Sequence, residues 1–480
     1  MVDRITKGWS VFDCDAHVND PLEIWERYVP ASKQDLVRRT YWRDDAQCFV
    51  NGSTPCIGGG NTEFAPMYNP ICIAGPQMSK QIMRRLISMM PLTDEQRDYV
   101  RHNGAFDAHA RIREMDLMGI DQVLVIPTMV IMNLPFAEDA EGVEVFCRAY
   151  NDWCRDWCAE VPDRLFGSAL LPLQDPARAV AELERAAGLG FRVGLIRPID
   201  ARGAYPNDIG EPGRPGPADR LFRAFEDTGV VLGMHTFPAM MPEGGLALRD
   251  AVPGIHMVSP GDLVGRAGQG HVGGRMVDVQ TMSFIYEAAV WLAQVLLSGM
   301  LDLYPKLRMA IFESNSSWLP QLLPYWDRLF RCYASERALK TDRLPSEAFR
   351  QQCFIAFESD ETPTFRQWDF FEDIALWSSD AYHHDGADSW SAMREMRAVG
   401  VPEEAQAKML GGNARRMYGI EGKMFVEREP GPLERPDWFP QHEELEQWAA
   451  VESDPRGHGI TSFELAKLDP RLLLQALRPY

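Results

Sequence analysis

The sequence predicts an α/β fold: a (β/α)8 TIM barrel with long inserts after strands 1 and 5 and a C-terminal arm. Two observations carry that expectation. Eight short apolar segments alternate with helical ones, and they are apolar at nearly every position, as strands covered on both faces must be. Charged or imidazole residues then stand at the carboxyl ends of six of the eight. Barrels of this kind carry their active sites on that face.

Strand 1 is read from residues 11–17, Val-Phe-Asp-Cys-Asp-Ala-His. A period of two puts Asp13, Asp15 and His17 on one face. A carboxylate and an imidazole two residues apart at a strand end suit zinc, iron or manganese, although an ordinary polar strand end has the same pattern. Residues 21–28 predict a helix. Residues 40–106 read poorly as regular structure, and a segment of that length is expected to be a lid or binding insert. Its triple glycine, 58–60, is not followed by Lys-Ser/Thr and reads as a loop rather than a phosphate cradle.

Regular alternation starts near residue 108. A helix at 111–118 ends at Gly119, and strand 2 follows at 122–128. The helix at 143–160 carries Phe146, Tyr150, Trp153 and Trp157 on one stripe, which reads as core. Strand 166–173, helix 176–189, strand 193–197, helix 218–228 and strand 230–235 come next, with Gly190 and Gly229 placed to end their helices. A second irregular insert spans about 238–277. Helix 281–301, strand 307–313, helix 318–333, strands 353–358 and 375–380, and a last helix at 403–417 complete the pattern. Residues 1–420 thus form the barrel. Residues 421–480, rich in Pro, Glu and Trp, are expected to pack on it or on a neighbouring subunit of a homo-oligomer, a dimer.

The bulk properties exclude several classes. With 49 basic and 69 acidic residues in 480, the net charge of −20 argues against nucleic acid or an anionic membrane as partner. No signal pattern and no apolar run of about 20 residues is seen, so a cytoplasmic protein is expected. The nine cysteines are scattered without a Cys-x-x-Cys pair, which argues against a zinc ribbon and for reduced thiols.

The strand-end residues are the chemical signal. They are Asp15 and His17 on strand 1, Arg197 on strand 4, His235 on strand 5 and Glu313 on strand 6. Glu358 with Asp360 follows strand 7, and Asp380 with His383, His384 and Asp385 follows strand 8. Their joint occurrence points to a metal site acting on a small-molecule substrate.

Several motifs then carry a resemblance. They are Asp13-Cys14-Asp15-Ala16-His17, the run from Met115 to Asp121, and Leu171-Pro172-Leu173-Gln174-Asp175 with His235. Glu313 with Trp318-Leu319-Pro320 and Asp327, the run from Ser379 to His383, and Gly411-Gly412-Asn413-Ala414 continue it. The chain resembles the amidohydrolase-2 branch of the amidohydrolase superfamily, related to aminocarboxymuconate semialdehyde decarboxylase. The resemblance implies Asp15, His17, His235 and Asp380 as metal ligands. Asp15 stands where that family often has His or Glu, and the extra carboxylate favours iron or manganese over zinc.

One departure shapes the functional expectation. Decarboxylases of this family place a proton-donating His after strand 6; here Ser314, beside Glu313, takes that place. Glu313 and His383 or His384 would complete a dinuclear iron centre like that of a related branch of diiron monooxygenases in diterpenoid antibiotic biosynthesis. The main expectation is therefore an O2-dependent monooxygenase that hydroxylates a bulky apolar, terpenoid-like acid or its CoA thioester and needs an electron donor. Asp380, Glu313 and His383 would be catalytic, and Arg197, Trp42 and Met240 would contact substrate. The inserts 40–106 and 238–277 would roof the pocket. The alternative is a hydrolase or nonoxidative decarboxylase using a metal-bound water, with zinc or manganese and Asp380 as base. A non-enzymatic scaffold with a decayed site does not suit the intact strand-end set.

Overall fold

The structure, a computed structural model, describes residues 4–18, 23–43, 107–128, 139–196, 214–236, 276–336, 339–381 and 386–431, with short pieces between and at 437–447. Its centre is an eight-stranded parallel sheet in sequential order. The strands are β1 (Phe12–Val18), β2 (Gln122–Pro127), β3 (Leu165–Leu170), β4 (Val193–Ile196), β5 (Val231–His235), β6 (Met309–Phe312), β7 (Cys353–Phe357) and β8 (Ala375–Trp377). All but the middle of β3 is buried along these strands, which is why the sequence reads as apolar runs there. The sheet closes where the chain after β8 meets β1: His17 N donates to Ala381 O at 2.9 Å and Asp380 N to Asp15 O at 3.0 Å. The result is the (β/α)8 barrel.

The helices are set by local chemistry. They are α1 (Gln34–Tyr41), α2 (Ala108–Met118), α3 (Ala140–Ala159), α4 (Pro176–Gly188), α5 (Pro217–Thr228), α6 (Met276–Ser298), α7 (Leu319–Cys332), α8 (Pro345–Gln352) and α9 (Ser389–Ala398). Asp107, Asp139, Asp175 and Asp388 cap α2, α3, α4 and α9 by accepting from first-turn amides. Gly119 ends α2 at φ 75°, and a Cβ there would lie 2.5 Å from Ser389 and Trp390, so no other residue fits. The aromatic stripe of α3 is core, as expected: Phe146, Tyr150, Trp153 and Trp157 are all buried.

Some elements differ from expectation. Helices α8 and α9 were not foreseen. Helix α1, just before the first insert, was not foreseen either, and the start of the insert is regular, with a small antiparallel sheet of Trp42–Arg43, Cys48–Asn51 and Thr54–Pro55. The last helix is broken: Glu403–Ala407 and Asn413–Tyr418 are separated by a wider turn at Lys408–Gly412. Gly411 there approaches β1 so closely that a Cβ would lie 2.5 Å from Ser10 O. Asn413 Nδ2 donates to Ala375 O at 2.8 Å and so ties the same turn to β8.

Opposite the strand carboxyl ends, the barrel base is fastened by one buried carboxylate. Asp121, at the entry to β2, pairs with Lys7 and accepts from Val11 N at 2.7 Å. Its other oxygen accepts from Phe425 N (2.6 Å) and Val426 N (2.8 Å). The start of the C-terminal extension thus lies across the base, and Thr6 bridges Arg428 in antiparallel fashion. No helix among the described residues is long and apolar enough to cross a membrane. We expect Lys7→Ala to lower the urea unfolding free energy by about 3 kcal/mol, because it leaves a buried carboxylate without its cation. A loss below about 1 kcal/mol would show that the three backbone amides alone satisfy Asp121.

Candidate metal centre

The site is built where the barrel closes. β1 carries a one-residue bulge between Asp13 and Ala16, opposite β2. Asp13 is used by the seam: Ser379 N donates to its Oδ1 at 3.0 Å and Ser379 Oγ to its Oδ2. Burial, opposed by these donors, pushes the Asp13 carboxyl up to about 7. The bulge leaves Asp15 and His17 at the mouth. His17 Nε2 lies 3.3 Å from Asp15 Oδ1 and 3.4 Å from Asp380 Oδ1. His235, the last residue of β5, brings Nε2 to 3.5 Å from Asp15 Oδ2. The two imidazoles stand edge to face with centroids 5.4 Å apart. One ligand atom from each of Asp15, His17 and His235 lies within 4.8 Å of the others, a spacing that could hold a metal ion.

Both imidazoles are oriented by their other nitrogen. His17 Nδ1 lies 3.2 Å from Pro127 O and His235 Nδ1 2.6 Å from Thr236 O. A carbonyl can only accept, so Nδ1 carries a proton in each ring and Nε2 faces the centre. Metal-ligating histidines are commonly held this way. Arg111, buried on α2, adds a hydrogen bond to the His17 carbonyl.

The donor set fits a cation. Asp15 is fully buried, and neither of its oxygens has a well-formed hydrogen bond. Burial pushes its carboxyl up, but His235 and His17 outweigh this and hold it below the usual carboxylate range. Burial likewise pushes the His235 imidazole down, while Asp15 and then Glu313 hold it above its ordinary value. The cluster therefore draws positive charge to its centre, and carboxylate with imidazole is a donor set for manganese, iron or zinc.

Backbone strain marks the same place. Among the described residues, three non-glycines have positive φ: Glu313 (48°), Asn315 (52°) and Asp380 (47°). Such conformations cost about 1–3 kcal/mol each and persist only where surrounding contacts enforce them.

Glu313 is buried, but it is not part of the three-residue group. Its Oε2 lies 3.6 Å from His235 Nδ1, on the side of the ring turned away from Asp15. Ser314 is buried and donates to Asn315 O at 2.9 Å. Of the residues after β7, Asp360 is exposed and Glu358 half-buried. The buried carboxylate is Glu361, which sequence reasoning passed over; it accepts from Ser316 N at 2.9 Å and Asn315 Nδ2 at 3.2 Å. Burial raises its carboxyl above the ordinary value against these donors. Only its place directly after the two named carboxylates Glu358 and Asp360 could have flagged it. Arg197, Met240, His383 and His384, and the side chain of Trp42, lie outside the described residues, as do the triple glycine and most of both inserts.

Comparison with known proteins bears on this geometry. A family model described as amidohydrolase matches residues 12–420. The chain belongs to the amidohydrolase family. A gamma-resorcylate decarboxylase of Rhizobium sp. is 26% identical over 334 residues, which is 65% of this chain and 87% of the relative. An amidohydrolase from Mycobacterium avium subsp. paratuberculosis has a solved structure with TM-score 0.59 at 19% identity, covering 86% of this chain and 100% of the other. A 5-carboxyvanillate decarboxylase from Novosphingobium aromaticivorans, solved with bound manganese, gives TM-score 0.55 at 16% identity and covers 86% and 98%.

These matches correct the oxygenase expectation. The gamma-resorcylate and 5-carboxyvanillate relatives are decarboxylases, which overturns the expectation of a dinuclear iron monooxygenase consuming O2. The difference has a physical source: strand position places Glu313 among the ligands but does not reveal on which side of His235 it stands.

The strain at residue 313 is directly measurable. Glu313→Gly removes the Cβ penalty while keeping the backbone contacts, so in chelator-treated protein it is expected to raise the unfolding free energy by about 1 kcal/mol. A loss of stability would show that the Glu313 side chain contributes more than its backbone costs.

Proposed function

We propose that the chain is a divalent-metal-dependent, nonoxidative decarboxylase of phenolic aromatic acids. The observation that carries this reading is the convergence of Asp15, His17 and His235, with Asp380 beside His17, at the mouth of the barrel. Manganese is the preferred ion. Two carboxylates and two imidazoles make a hard donor set, and manganese is bound in the related 5-carboxyvanillate decarboxylase. The substrate class is taken from the gamma-resorcylate and 5-carboxyvanillate decarboxylases, whose substrates are hydroxylated aromatic acids.

Asp15, His17, His235 and Asp380 would hold the cation. When bound, it supplies Lewis-acid polarisation of substrate oxygens. The chain's own groups do the rest. The carbonyls of Pro127 and Thr236 keep both imidazoles in one tautomer, so Nε2 is always presented to the centre. The buried mouth keeps water from the reacting carbon. Asp380 is the proton carrier in this scheme. With Oδ1 turned toward His17 at 3.4 Å, its other oxygen takes a proton from water before each turnover. That proton goes to the ring carbon, the electron pair of the breaking carbon–carboxylate bond forms the new C–H bond, CO2 leaves, and the Asp380 carboxylate is reprotonated from water, with no change in oxidation state. The strained backbone of Asp380 is compatible with a carboxylate held for function rather than for folding.

Two measurements test the reading. Purified protein incubated with 2,6-dihydroxybenzoate and related hydroxybenzoates should release CO2 equally with and without oxygen. Chelation should abolish release and manganese should restore it. Turnover that requires oxygen, or hydrolysis of amides or esters with no CO2 release, would overturn the proposal. In addition, Asp15→Ala and His235→Ala should each lose bound metal while keeping a cooperative unfolding transition; full metal occupancy in His235→Ala would remove it from the ligand set.

A further inference from the structure

The turn after β6 is both strained and tightly held, and its anchor is a carboxylate that the proposed chemistry does not use. Glu361 is 7% exposed. Its Oε2 accepts from Ser316 N at 2.9 Å, Ser316 Oγ at 3.1 Å and Thr364 Oγ1 at 3.1 Å. Its Oε1 accepts from Asn315 Nδ2 at 3.2 Å and Glu358 N at 3.1 Å. Three of these donors belong to residues 315 and 316, inside the turn. Two further clamps act on the same segment. Thr236 Oγ1, next to His235, donates to the Glu313 carbonyl, and Trp318 Nε1 lies 3.0 Å from Ser314 O and 3.1 Å from Asn315 O. The left-handed residues Glu313 and Asn315 are thus held from β5, from α7 and from the segment after β7.

We propose that Glu361 is a positioning residue: its carboxylate locks the turn 313–316, holds the Glu313 carboxylate 3.6 Å from Nδ1 of His235, and so sets the donor strength of that imidazole toward the metal. The inference rests on the reading of Asp15, His17 and His235 as cation ligands. The Nδ1 proton of His235 is given to Thr236 O at 2.6 Å, so the Glu313 carboxylate acts on the ring by its charge at 3.6 Å. Groups behind metal-bound histidines commonly change metal affinity 10- to 100-fold. Glu361 reaches His235 only through Glu313. Its shape matters as much as its charge, because both oxygens face donors. In Glu361→Gln the amide NH2 meets N–H donors whichever way it is turned, so that variant loosens the turn without emptying the space.

The test uses cobalt(II), whose visible bands report the ligand field. Glu361→Gln, Glu313→Gln and the double variant are compared with the parent by cobalt spectrum, cobalt affinity and unfolding midpoint. Each single change is expected to shift the bands in the same direction and to weaken cobalt binding about tenfold. The double variant should bind no worse than the weaker single, because one residue acts through the other. An unshifted spectrum with parental affinity in Glu361→Gln overturns the proposal, as does a double variant in which the two losses multiply to about a hundredfold. Should Glu361→Gln fail to fold, Asn315→Gly removes one donor while tolerating the left-handed backbone; it should shift the bands in the same direction, and an unchanged spectrum overturns the proposal. Failure of the parent chain to bind cobalt overturns the ligand reading and this inference together, whereas parental binding with an unmoved variant overturns this inference alone.

Discussion

Much of this molecule follows from burying carboxylates against two imidazoles at the point where the barrel closes. Taking a carboxylate out of water without a partner costs several kcal/mol. Asp15 is fully buried and is approached by Nε2 of both His17 and His235, with Asp380 beside the first. Nothing in the packing of an apolar core asks for that arrangement. The seam between the end of β8 and β1 is shaped around it: Asp13 accepts from Ser379, and the bulge in β1 aims Asp15 and His17 into the mouth. β8 is only three residues long because the chain leaves strand geometry to place Asp380.

Support for the cluster lies one contact further out. Carbonyls fix the tautomers of both histidines. The turn after β6 carries Glu313 to the outer face of His235 on strained backbone, and Glu361 ties that turn down. At the opposite end of the barrel the chemistry is of another kind. There Asp121 is satisfied by Lys7 and by three backbone amides, and it joins the N-terminal segment, β2 and the start of the C-terminal extension. The two ends divide the labour familiar in barrels of this type, with function at the carboxyl ends of the strands and stability at the base.

Much of the barrel was legible in the sequence because periodicity and caps are local signals. The Asp-x-His spacing of β1 and the positions of His235 and Asp380 at strand ends were legible for the same reason. Orientation was not. Whether Glu313 shares a cation with His235 or stands behind it depends on the left-handed turn at residues 313–316, and that turn is enforced from β5 and from beyond β7. Strand-end counting treats both cases alike, and it led to a dinuclear oxygenase. Glu361 is hidden for a related reason: the turn residues it binds, Ser316 and Asn315, lie 45 and 46 residues away in sequence. The break near Gly411 was hidden because its cause is close approach to the backbone of Ser10 rather than any helix-stop signal nearby.

The central claim is that Asp15, His17, His235 and Asp380 together hold one divalent cation. Anomalous diffraction at the manganese edge, on crystals grown with manganese, tests it most directly. The account predicts a single peak per chain, within bonding distance of Asp15, His17 Nε2 and His235 Nε2, with Glu313 on the other side of the His235 ring. Two peaks bridged by Glu313, or no peak among these side chains, would contradict it.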